Sequence, residues 1–185
     1  MTIPLFPLPI CLLPQGYSQL RIFEPRYKRL VTETLKSGVG FGLCMIDNKQ
    51  LLPIGTMCQI VDFDMLEDGL LGISIEGKSK FKLIDISKEE DGLKRGQVQL
   101  LDDWPTQQVD TTRESETVLS NTLKQLLEHY PKQQAFYQDK QFDDISWVCQ
   151  RWLEVIPIEV QQKFQCINQE NHKVALEVLS DIIKS

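Results

Sequence analysis

The hydrophobic period of this chain changes once along its length, and that change restricts the fold more than any other feature of the sequence. Between residues 39 and 102 apolar side chains recur at every second position. From about Thr111 they recur at helical spacing. Leu71, Ile73 and Ile75 alternate with Gly72, Ser74 and Glu76, and Phe81 and Leu83 alternate with Lys80 and Lys82. Alternation of this kind belongs to antiparallel strands with one buried and one wet face. The spacing predicts strands over 39–46, 56–65, 70–76, 78–86 and 97–101, divided by turn signals at Gly38, Pro53, Asp68-Gly69, Gly77 and Asp91-Gly92. A helix over 25–36 precedes them, with Tyr27, Leu30, Val31, Thr34 and Leu35 on one stripe, Pro25 in the first turn and Gly38 at the stop.

The second region reads as helices. Val118, Leu119, Thr122, Leu123, Leu126 and Leu127 form one stripe that ends before Pro131. Ile145, Val148, Cys149, Trp152, Leu153 and Ile156 form another, with Asp143 or Asp144 as its cap. Shorter helical stretches follow at 158–167 and 172–184. Residues 102–112 are polar and read as a linker. The expected architecture is α+β: a β-rich unit over 1–110 with an inserted helix, then a helical unit over 111–185.

Composition narrows the classes of function. The net charge is −6, with 12 basic against 15 acidic residues in 1–110 and 8 against 11 in 111–185. Tight duplex binding neutralises about 6–10 phosphates with clustered cations, and no part of this chain has such a surplus. The apolar start, Met1 to Ile10, lacks a basic leader and holds three prolines, so it does not read as a secretion signal. No apolar run approaches the roughly 20 residues of a membrane span. The five cysteines are scattered and odd in number, which suits buried thiols in the cytoplasm better than a disulfide framework or a zinc site. His129 and His172 have no ligand-spaced neighbours.

One motif suggests catalysis. Gly72-Ile-Ser-Ile-Glu-Gly77-Lys78-Ser79 matches the phosphate-loop pattern G-x-x-x-x-G-K-[ST] at every position. That loop works only when a helix follows directly, so that its N–H groups surround the phosphates. Here the residues inside and after the motif alternate as strands do, and Gly77 is expected to turn a hairpin. Ser79 and Lys80 point to opposite faces and make no Ser–Lys dyad. Lys78, Lys80 and Lys82 read as one wet face. No catalytic residue, metal or cofactor is expected.

The most loaded segment is Leu20-Arg-Ile-Phe-Glu-Pro-Arg-Tyr-Lys28, at a strand-to-helix junction. Glu24 favours the positive end of the helix dipole and Pro25 its first turn, which are structural roles, with Arg21 or Arg26 able to pair with Glu24. Arg21, Phe23, Arg26 and Tyr27 are candidate contacts for a partner. Trp104, in the polar linker, and Trp147, beside an apolar stripe, join them as aromatic residues that the core pattern does not demand.

The same segment carries a resemblance. Pro4-Leu-Phe-Pro-Leu8, Leu20 to Tyr27, Gly40-Phe-Gly42, Gly55-Thr56, the 68–82 stretch and Trp147 to Pro157 together resemble the N-terminal, substrate-recognition domain of Lon proteases, over essentially the whole chain. Departures fall at Gln15, where Pro-Gly is usual, at Ser18-Gln19, and at 172–176. The resemblance implies a PUA-like pseudo-barrel with an inserted helix followed by a helical bundle, occurring as a stand-alone protein. It further implies a non-enzymatic role, since the sequence ends before an ATPase or Ser–Lys protease part would begin. The implied partners are unfolded or extended polypeptide segments, with a separate protease or chaperone to which an adaptor would present clients. RNA binding through the barrel is the alternative the fold class leaves open, and a Cys or Ser hydrolase a third.

Overall fold

A computed structural model of the chain describes residues 1–184, and it separates into two compact units, Met1–Asp102 and Asp103–Ser185. The first holds β1 (Thr2–Leu8), β2 (Tyr17–Ile22), α1 (Pro25–Ser37), β3 (Phe41–Asp47), β4 (Gln50–Met65), β5 (Leu71–Lys88) and β6 (Lys94–Leu100). The second holds α2 (Glu114–Glu128), α3 (Pro131–Gln134), α4 (Ile145–Val155), α5 (Val160–Ile167) and α6 (Lys173–Lys184). The α+β architecture is as expected. The break falls eight residues before the position at which composition places it.

In the β unit, β4 pairs with β3, β3 runs parallel to β1, and β1 pairs with β6. The 18-residue β5 closes the ring, because its second half pairs with β6 while β4 lies along its other edge. β2 occupies the edge that β6 leaves, opposite residues 71–76. Side-chain alternation then splits the apolar residues between two clusters. Ile3, Leu5, Cys44, Met57, Phe81 and Val98 fill the barrel. Phe6, Phe41, Leu43, Ile73 and Ile75 face the other way and meet Tyr27, Leu30 and Val31 of α1. Glycines on three strands make room inside. A Cβ at Gly42 would lie 2.8 Å from the Phe81 ring, one at Gly55 2.5 Å from it, and one at Gly96 2.9 Å from Leu83.

Two expectations for this unit are corrected, and one strand was missed. Gly77 turns no hairpin: β5 runs through it, and Met57 opposite Ser79 followed by Cys58 opposite Gly77 leaves Lys78 as the extra residue of a β-bulge. A side chain at Gly77 would meet the Leu13 carbonyl at 2.3 Å, because the 12–16 segment crosses the strand there. Gln15 donates to the Gly77 carbonyl and Gly77 to that of Gly16. Lys80 is not on a wet face but buried, while Lys78 and Lys82 are exposed. Its ladder partner Thr56 donates to the Leu12 carbonyl at 2.6 Å, so the same crossing segment covers this stretch of sheet. β1 itself escaped notice because Pro4 and Pro7 argue against a strand. The departure at Gln15 has a backbone consequence: its φ is 67°, the left-handed region that glycine enters at no cost.

Helix α1 is tied to the barrel by an ion-pair network. Arg29 pairs with Glu33, Glu89 and Asp91, and Arg95 with Glu33 at 2.7 Å and Glu89 at 2.5 Å. Hydrogen bonds from Arg95 and then Arg29 hold Glu89 below the usual carboxylate range, and the Leu93 N–H with Arg29 does the same for Asp91. A depressed carboxyl pKa contributes stability above the unfolded value and loses it as pH falls through the folded one. Melting temperature is therefore expected to decline below about pH 4, and to decline less steeply in a Glu89→Gln, Asp91→Asn variant. Thermal melts from pH 7 downward check this.

In the helical unit, Leu119, Leu123 and Leu127 of α2 pack toward α4, whose N-cap is Asp144; its carboxylate accepts the Ser146 N–H at 3.0 Å. Residues 103–112 are no linker. The Ile145 N–H donates to the Gln107 carbonyl, Val109 to that of Asp143, and Ser146 Oγ to that of Pro105 at 2.6 Å. Among the described residues no helix is long and apolar enough to cross a membrane.

Candidate functional site

The strand-to-helix junction places its residues around a cleft of about 350 Å³ in the β unit. Phe6, Pro7, Leu8 and Ile46 give it an apolar wall, and Arg21, Arg26, Lys49 and Lys94 bring positive charge to its rim, against the single carboxylate of Glu24. Each placement has a local cause. β2 ends at Ile22, whose side chain goes into the core at 1% exposure, so Phe23 must face the other way; it is 61% exposed. Pro25 opens α1, and its fixed φ ends the strand there. Glu24 sits at the N-cap, yet its carboxylate does not cap the helix; it accepts Arg26 Nη2 at 2.9 Å. Arg26 also reaches the Gly92 carbonyl at 3.3 Å and lies over the Tyr27 ring. Arg21 pairs instead with Asp68.

Tyr27 is buried, and its ring stacks on Phe6 with centroids 4.1 Å apart. Burial pushes its hydroxyl pKa up, an effect partly opposed by Arg26. Tyr27 is thus the back wall of the cleft rather than a projecting contact. The four junction residues named from sequence line one cleft. The two tryptophans do not join it, because both lie in the helical unit and both are core. Trp104 is 5% exposed with its Nε1 donating to the Gln169 carbonyl at 2.8 Å. Trp147 is 2% exposed, edge-on to Tyr137 and Phe142, with the Arg151 guanidinium 5.3 Å from its ring. What the sequence pattern missed was Lys49 and Lys94, which enter the cleft from turns and strands far along the chain and carry no local signal.

Catalytic arrangements fare poorly. Gly72–Ser79 lies inside β5, paired on both edges over 72–76, and no helix emerges from Lys78. Ser146 Oγ comes within 3.3 Å of His172 Nδ1, but that hydroxyl already donates to Pro105, and Asp144 accepts from Ser146 and Gln107 N–H groups. Burial pushes the His172 pKa down, against the opposing pull of Glu116 and Asp144. Burial also pushes the Cys44 thiol up to about 12 and raises Cys149 and Cys166, so none of these three is a ready nucleophile. No group of His, Cys, Asp and Glu suited to a metal occurs among the described residues.

The chain resembles known proteins along its whole length. Residues 2–185 match the family model of the ATP-dependent protease La (LON) substrate-binding domain. A crystal structure of a Lon N-terminal domain protein from Xanthomonas campestris superposes with a TM-score of 0.77 at 27% identity, covering 97% of this chain and 98% of that one. The N-terminal domain of Mycobacterium avium complex Lon protease shares the fold, with a TM-score of 0.71 at 12% identity over 98% of this chain and 97% of that one. A search of curated proteins returns no match.

Proposed function

Because the chain belongs to the ATP-dependent protease La (LON) substrate-binding domain family, we propose that it binds polypeptide segments without catalysing any reaction, and that the cleft below Phe23 is where it does so. One observation carries the reading: a large aromatic ring, 61% exposed, at the mouth of an apolar cleft rimmed by cations in an otherwise acidic protein. Exposed aromatics at concave sites are the usual anchors of recognition. A volume of about 350 Å³ accommodates an apolar side chain or two, not a folded domain. The rim then favours segments with carboxylates beside that apolar residue. Binding of this size is transient, as suits a module that passes clients to a separate protease or chaperone.

Fluorescence anisotropy with a reduced, carboxymethylated and permanently unfolded protein tests the proposal. Phe23→Ala is expected to weaken binding about tenfold, the scale of a single aromatic anchor. Lys94→Glu is expected to weaken it and to reduce its salt dependence. Unchanged binding in both variants sinks the reading, and tighter binding to an RNA oligomer than to any polypeptide would favour a nucleic-acid role instead.

A further inference from the structure

Among the described residues, no strand pairs with the edge of β4 that faces away from β5 between Gln59 and Met65. The β3 ladder stops at Phe41 opposite Cys58, whereas the β5 ladder continues to Leu71 opposite Met65. Val61, Phe63 and Met65 project from this stretch at 46%, 62% and 69% exposure, and the charges between them are Asp62 and Asp64. The Phe63 N–H donates to Asp62 Oδ1 and the Met65 N–H to Asp64 Oδ1, both at 2.8 Å. N–H groups two residues apart point to one edge of a strand. The two carboxylates therefore occupy donors that an incoming strand would use.

We propose that this edge receives an extended polypeptide segment in which basic residues alternate with apolar ones, added as a further strand of the sheet. Its carbonyls take over the N–H groups of Phe63 and Met65, and the released Asp62 and Asp64 carboxylates turn to the incoming cations beside them. A second copy of the chain does not fit. In antiparallel self-pairing, one set of registers places acid opposite acid and the other places acid opposite an apolar side chain, and both are unfavourable cross-strand pairs. A basic–apolar segment satisfies both kinds of position at once. The inference uses different residues from the Phe23 cleft and does not depend on it.

The test uses the full chain, a nine-residue peptide alternating lysine and valine, its glutamate–valine counterpart, and a lysine–valine peptide N-methylated at its central residues. Anisotropy reads binding, and amide hydrogen exchange reads its location. The lysine–valine peptide is expected to bind and to slow exchange over 59–65, while neither of the other two slows exchange there. The double variant Asp62→Asn, Asp64→Asn is expected to lose about tenfold in affinity for the lysine–valine peptide. Equal binding of the N-methylated peptide, slowed exchange elsewhere only, or unchanged affinity in the double variant overturns the proposal. If the double variant self-associates with peptide binding unaltered, the carboxylates are only guards of an open edge, and the proposal fails. Loss of the Phe23 effect on unfolded protein, with these results intact, would remove the cleft reading alone.

Discussion

Replacing Phe81 by alanine is expected to cost the β unit about 3–5 kcal/mol, enough to leave it largely unfolded at physiological temperature. Phe81 is fully buried in the barrel, and its ring takes the space left open by Gly42 and Gly55 on two other strands. Those glycines cannot collapse into the vacated volume, since they have no side chain to extend, so the cavity persists and its lining loses dispersion contacts outright. The reciprocal change, Gly55→Ala, is expected to cost about 1–3 kcal/mol. The ring can shift from a Cβ 2.5 Å away, but the Leu43 carbonyl at 2.7 Å is backbone and cannot. Urea unfolding followed by a β-sheet signal measures both. A Phe81→Ala loss below about 1 kcal/mol would show that the barrel repacks freely and that the glycine spacing is incidental.

Trp147→Ala is expected to destabilise the helical unit by about 3–5 kcal/mol. The indole is nearly fully buried, two aromatic rings meet it edge-on, and the buried Arg151 guanidinium lies over it while paired to Glu154. Removing the ring takes away apolar burial and exposes a buried ion pair to an unfilled space, where charges are costly to keep. Binding of unfolded polypeptide, measured at a temperature where the variant is still folded, is expected to be unchanged, because the residue reaches no surface. A binding loss without a stability loss would restore Trp147 to the list of contacts.

How far the sequence was legible varies along the chain and has physical reasons. The α1 stripe was readable because helical spacing, Pro25 and Gly38 are local: Tyr27, Leu30, Val31 and Thr34 are buried, and Gly38 closes the helix at φ 69° with its N–H on the Thr34 carbonyl. Leu35, placed on the same stripe, is 53% exposed, because a stripe does not say how far its cover extends. The junction residues were readable as a group because the chain changes direction there, and the structure gathers Arg21, Phe23, Arg26 and Tyr27 around one cleft. Lys49 and Lys94 were not, since their arrival depends on which strands pair.

The misreadings share one origin. Gly77 has the composition of a turn, and Lys80 that of a solvent face, when only their neighbours in sequence are counted. The 12–16 segment crosses β5 at that place, requiring a residue without a side chain at 77 and covering the sheet at 80. Trp104 looked spare in a polar run, but the Gln169 carbonyl that accepts its indole N–H lies 65 residues away.

Sequence alone determined the class of most segments, the change from strand to helix past residue 100, the strand character of Gly72–Ser79, and the segment around which the cleft is built. These follow from periodicity and backbone preference, which act over a few residues. Tertiary structure alone decided the closure of the ring by β5, the burial of Lys80, Trp104 and Trp147, the open edge of β4 and the basic rim of the cleft. Each of those depends on which distant segment arrives to pair with or cover a given stretch, and free energy of that kind is released only when the chain has closed the intervening loop.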